Sequence, residues 1–130
     1  MELLFLFGRL LFGGYFLLNA INHFTKAGAL VGYAAAKGVP QPRLAVFGSG
    51  VLLAFGGLGV ILGVFVQYAL LALVVFLVVV SFKMHNYWSG DALPSERAAD
   101  MVNFTKNMAL LGAALMLFDA TQYGWAYSLF

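Results

Sequence analysis

LAVFGSGVLLAFGGLGVILGVFVQYALLALVVFLVVVSF, residues 44–82, runs for 39 positions without a charged side chain. As one helix it would be about 58 Å long, roughly twice the hydrocarbon thickness of a bilayer. It is therefore expected to fold back once. The turn falls between Gly63 and Tyr68, where Gln67 is the only amide in the run. That gives two spans, at about 44–64 and 67–84. The first is rich in glycine. Gly56, Gly59 and Gly63 share one face, and small residues at such spacing let backbones approach closely in lipid. The second is valine- and leucine-rich.

Working outward, Leu3–Asn22 is apolar apart from Arg9 and Asn19 and is long enough to span. It reads as a span and not as a secretory leader. Glu2 stands where a basic residue belongs, the apolar run is too long, and Arg9 interrupts it. Residues 24–41 are broken by Gly28, Gly32 and Gly38 and end at Pro40 and Pro42. They are expected to form a short interfacial or re-entrant helix. Trp88–Ser95 is a polar turn containing Gly90, Asp91 and Pro94. Ser95 is its expected helix N-cap, with Glu96 in the first turn. The fourth span then covers about 104–126, with Trp125 and Tyr127 as an aromatic belt at its far end. The expected fold is all-α: one membrane domain over residues 1–130, a polytopic antiparallel bundle of four transmembrane helices (3–22, 44–64, 67–84, 104–126).

Composition agrees. Charged residues make up 9% of the 130 and hydrophobic ones 63%, with a mean hydropathy of +0.94. A soluble domain carries about a quarter charged residues. There is no cysteine, which excludes disulfides, thiol redox chemistry and thiolate-held metal clusters. A net charge of +2 is too small and scattered for nucleic acid. The bases carry an orientation signal instead. Lys26, Lys37, Arg43, Lys83, Arg97 and Lys106 fall on the side of the two long connections, and only Arg9 on the side of the termini. The positive-inside rule then places both long connections in the cytoplasm and both termini outside.

Polar residues in the spans fall on faces. On the first, Arg9, Phe12, Phe16, Asn19 and His23 recur at intervals of 3 and 4. On the third, Gln67, Val74, Val78, Ser81 and His85 form a stripe. On the fourth, Asp100, Asn103 and Asn107 share one face, and Met108, Gly112, Asp119 and Gln122 another. Polar groups facing lipid are costly, so these faces should point inward. His23 and His85 end parallel helices at one depth, with Lys106 and Asn107 at the same level. At the opposite end Arg9 and Asp119 each lie about 10 Å inside the boundary. They are expected to pair as a structural tie. Two histidines at helix ends are poorly placed for bis-histidine haem ligation. A two-histidine metal site lacks carboxylate partners if Asp91 and Asp100 belong in or near a loop. Tyr87, Trp88, Trp125 and Tyr127 read as belt residues, or as stacking partners for an aromatic ligand. No catalytic triad, phosphate loop or dinucleotide fingerprint occurs.

Three stretches, taken together, resemble the DoxX family of small four-helix membrane proteins. They are GRLLFGGYFLLNAINHF (8–24), MHNYW (84–88) and FTKNMALLGAAL (104–115), with the intervening Gly38-Val39-Pro40 and Gly56-Gly57 in order. Many relatives carry a glutamate three residues before the Gly-Gly; here that position is Leu53. The resemblance implies an inner-membrane protein linked to quinone-dependent oxidoreductases or to membrane redox and stress-defence complexes. Arg9, His85, Asn86, Trp88, Lys106 and Asn107 match its motifs. The leading expectation is a subunit that binds a quinone-like amphipathic ligand near the cytoplasmic interface. His23, Ser81, His85, Asn86, Trp88, Lys106 and Asn107 line the site, and the glycine face leaves room for a tail. No cofactor is intrinsic, so the redox centre is the quinone or a soluble or membrane partner. A scaffold for a soluble redox partner and a homo-oligomeric small-solute transporter are the alternatives.

Overall fold

The computed structural model describes residues 1–90 and 93–129. Asp91, which the sequence places in the polar turn, lies outside the described residues. The described chain is helical, without strands: α1 Glu2–Thr25, α2 Ala27–Ala36, α3 Pro42–Leu62, α4 Val66–Met84 and α5 Pro94–Ala120. All but α2 are long and apolar enough to cross a membrane. The antiparallel bundle is confirmed by contacts at both ends. Phe24 of α1 meets Phe47 of α3, and Gly13 meets Gly57. Gln67 of α4 meets Thr121 just after α5, while Phe82 meets Phe104. Backbones pack in the order α1, α3, α4, α5, and α2 lies on α3.

Two of these packings depend on glycines in α3. A Cβ on Gly57 would stand 2.8 Å from the Gly13 carbonyl oxygen and 3.0 Å from the Leu17 nitrogen. On the adjacent face, a Cβ on Gly56 would stand 2.4 Å from Leu73 side-chain atoms, and one on Gly59 2.4 Å from the Ala69 Cβ. Both faces of α3 are therefore filled by helices. The ligand-tail room expected along the glycine face is absent. Around this crossing sits the core of Phe16, Ala20, Leu53, Val60, Leu70, Leu73 and Leu77. Leu53, at the position where relatives carry a carboxylate, is fully buried in it. On α4 the inward stripe runs through Leu70, Leu73, Leu77 and Ser81, whereas Val78, expected on it, is exposed.

The reversal between α3 and α4 falls where the sequence placed it. Gly63, at φ 72°, caps α3 with a bond from its nitrogen to the Gly59 carbonyl (2.9 Å), and α4 starts at Val66. It therefore lies past α3 and takes no part in a helix-packing face with Gly59. The fourth long helix differs from its expected bounds. It starts at Pro94, whose ring is suited to the first helical position, so Leu93 and not Ser95 is the N-cap. It ends at Ala120, six residues short of the expected 126. After Gly124 (φ 97°) the chain turns back over the end of α3. The Leu129 nitrogen donates to the Leu62 carbonyl (3.1 Å) and the Ser128 hydroxyl to that of Gly63 (2.6 Å). Trp125 is thus not a belt residue on a helix. It packs edge-on to Phe5 at 4.8 Å and donates to the Val60 carbonyl at 3.4 Å.

That strap explains why Arg9 and Asp119 do not pair. The Arg9 guanidinium donates to the carbonyls of Ala126 and Tyr127 and lies over the Trp125 ring. Asp119 is exposed and accepts from Gln122, three residues along. The backbone carbonyls of the returning strap reach the buried cation first. Hydrogen bonds to a charged group contribute about 1.5–3 kcal/mol each. Arg9→Ala should therefore release the strap, raising amide exchange at Leu129 by about tenfold or more, with Asp119→Ala leaving it unchanged. Equal protection in both variants would contradict the assignment.

Candidate functional site

Asp100 lies two turns into α5, on the face it shares with Asn103 and Asn107. Counted back from Ala120, it is about 30 Å along the helix, at the far boundary of a hydrocarbon core. It is 4% exposed. A carboxylate buried there needs partners, and two elements, α2 and α4, supply three. Lys37, just past the end of α2, places its Nζ 2.6 Å from Oδ2. His85, ending α4, places Nδ1 3.1 Å from Oδ1. Tyr33, one turn before Lys37 on α2, donates its hydroxyl to Oδ1 at 3.4 Å. Among the described residues, Lys37–Asp100 is the ion pair within 4 Å, and His85–Asp100 is a hydrogen bond that becomes one only when the ring is protonated.

The expectation that Asp100 belongs with the loop is corrected here. The helix begins ten residues before the expected span, so its first turns carry Asp100 inward against His85. Among the described residues no three His, Cys, Asp or Glu side chains converge as a metal-ligand group. The two α2 groups show the electrostatics. The hydrogen bond to Asp100 raises the Lys37 ammonium above its ordinary value. Burial, then the nearby carboxylate, raises the Tyr33 hydroxyl. Each keeps its proton and serves Asp100 as a donor.

The residues read from the sequence divide around this centre. His85 is part of it. Lys106 is exposed, with Nζ 3.4 Å from Asn103 Oδ1 and 5.5 Å over the Tyr15 ring. Asn107, one turn below Asn103, is buried. His23 is half-buried on α1. Its Nδ1 bonds the Asn19 carbonyl at 2.8 Å, and its ring stands edge-on to Phe76. Ser81 is fully buried, and its hydroxyl has no partner among the described residues. Asn86 is half-buried in the bend after α4. Trp88 packs in an exposed aromatic group, 5.1 Å from Phe104, 5.3 Å from Tyr87 and 5.9 Å from Phe82. Its neighbours are aromatic rings, not the Asp100 centre.

Tyr33 and Lys37 were the functional candidates that sequence reasoning missed; the available signal was their i, i+4 spacing. Asp100 was placed on an inward face with Asn103 and Asn107 but, read as lying in or near a loop, was not taken as a site residue. At the opposite end of the bundle, a groove of about 430 Å³ is lined by Gly63, Gln67, Tyr68, Thr121, Trp125 and Ser128, among others. It contains none of the expected ligand residues.

No curated protein and no solved structure matches the chain. The DoxX family does match, over residues 4–86, which take in nearly all of α1 to α4 and the first three residues, 84–86, of the MHNYW stretch. With four long apolar helices and that match, the chain belongs to the DoxX family and is a multi-pass membrane protein.

Proposed function

We propose that the protein is a membrane subunit of a quinone-linked oxidoreductase or membrane redox complex, and that it holds the polar head of a quinone-like amphipathic ligand at the Asp100 centre. One observation carries the reading. A buried carboxylate, an imidazole, an ammonium and a phenol converge from three elements at the depth where a lipid-soluble head group meets water. Lys106 and Asn107 extend this polar end along α5. The tail runs in the bilayer beside α5, the least enclosed of the four long helices. The protein binds and orients; electrons come from the ligand or a partner subunit. By the distribution of bases, this end faces the cytoplasm, and the family resemblance implies an inner membrane.

Native mass spectrometry from mild detergent tests the reading. The wild-type protein should retain an adduct of prenylquinone mass, lost in His85→Ala with Lys106→Ala. No adduct in the wild type, or an unchanged one in the double variant, rejects it. A second reading, a scaffold for an acidic soluble partner, is favoured by Lys26, Arg43 and Lys83. They are exposed at this same end and carry no ion pair among the described residues. Partner capture that survives loss of the adduct, but fails when these three are neutralised, would select it.

A further inference from the structure

We infer that the site recognises its ligand by a hydroxyl group donated to His85 Nε2, and so prefers the reduced, hydroquinone form to the quinone. The inference rests on the reading above and adds the ligand's redox form. It follows from the hydrogen-bond direction around Asp100. An ammonium has only donors, and Lys37 Nζ sits 2.6 Å from Oδ2, which holds Asp100 as a carboxylate. A carboxylate only accepts. Oδ1 must therefore accept from both of its neighbours, the Tyr33 hydroxyl at 3.4 Å and His85 Nδ1 at 3.1 Å. The histidine proton is thereby fixed on Nδ1. Because Lys37 already matches the carboxylate charge, the ring needs no second proton. In the neutral ring Nε2 then presents a bare lone pair.

That lone pair is available. The sealed polar side-chain atoms without partners, among the described residues, are Arg9 Nε and Ser81 Oγ. His85 Nε2 is not among them, and no hydrogen bond among the described residues uses it. A lone pair accepts from O–H and repels a carbonyl oxygen. A hydroquinone offers the first and a quinone the second. The same backing carboxylate that orients the ring therefore selects the ligand's oxidation state, and no electron transfer is needed for the selection.

Asp100→Asn reverses the selection in a defined way. Lys37 still requires an acceptor, so the amide oxygen stays on its side. The amide nitrogen then faces His85 Nδ1 and donates to it, which moves the ring proton to Nε2. The test measures binding to protein in lipid nanodiscs at pH 8 without oxygen. The probes are decylubiquinol, decylubiquinone and the O,O-dimethyl ether of the quinol, which keeps the shape but has no O–H. Wild-type protein should bind the quinol about tenfold or more tightly than either other probe, because a site built around a hydroxyl rejects analogues lacking it. Asp100→Asn should favour the quinone. His85→Gln, whose amide can turn either end to the ligand, should bind both forms within about threefold and serves if Asp100→Asn does not fold. Equal affinity of the wild type for quinol and quinone, a quinone preference, or an unaltered quinol preference in both variants overturns the inference but leaves the ligand reading standing. Failure of all three probes to bind removes both.

Discussion

Gly57→Val is expected to leave little folded protein. The added side chain would meet backbone, not a movable side-chain end: the Gly13 carbonyl oxygen at 2.8 Å and the Leu17 nitrogen at 3.0 Å from the new Cβ alone. Neither can shift without moving α1 away from α3. Overpacking costs about 1–3 kcal/mol where neighbours can adjust, and this site falls at or beyond the upper end. In lipid, helix association rests on such packing, since lipid tails compete equally for apolar side chains. Gly14→Ala is the matched control, because nothing lies within 4 Å of its Cβ. Size-exclusion chromatography in mild detergent should show a sharp peak for Gly14→Ala and aggregate for Gly57→Val. A monodisperse Gly57→Val protein with unchanged thermal stability would mean that α1 and α3 do not cross there.

The second large effect is expected at Asp100. Asp100→Ala removes the shared acceptor of Lys37, His85 and Tyr33 and separates α2 from α4 and α5. Breaking a buried pair costs about 3–5 kcal/mol, because the remaining charge is stranded. The Lys37 side chain is 23% exposed, so water reaches it and the lower end, about 3 kcal/mol, applies. Glu96→Ala, at an exposed position one turn earlier on the same helix, should stay within about 0.5 kcal/mol. Adding Lys37→Met to Asp100→Ala should restore part of the loss, since it removes the stranded cation. Thermal unfolding in one detergent measures all four proteins. An Asp100→Ala variant as stable as Glu96→Ala would show that the cluster is an exposed polar end.

The fold was largely legible because lipid imposes a length on each apolar run. The uncharged stretch 44–82 was too long for one crossing, and its turn came at Gly63, where a left-handed cap can form. Helix ends were less legible. The fourth span was drawn from its apolar residues; the helix itself starts at Pro94, just before the cap expected at Ser95, and Gly124 ends the helical region before Trp125. Asp100 was read both on an inward helical face and as near a loop, and its place two turns inside the helix makes it the buried centre of the cluster. The early end sent the chain back across α3 and supplied Arg9 with carbonyl partners, so depth matching with Asp119 gave the wrong pair. His85 was singled out by helical phase, by depth and by the MHNYW motif. Its partners Tyr33 and Lys37 were not: their i, i+4 spacing puts them on one face of α2, but nothing in the sequence says which helix that face meets.

The proposed ligand head lies at the Asp100 end of the bundle. A photoactivatable azidoquinol, cross-linked without oxygen to the protein in native membranes and mapped by peptide mass spectrometry, locates the ligand head. Labels should fall on residues 33–37, 84–88 or 100–107 and be lost on competition with unmodified quinol. Labelling confined to the other end, around Gln67, Tyr68 and Thr121, would contradict the account and move the site to the groove beneath the C-terminal strap.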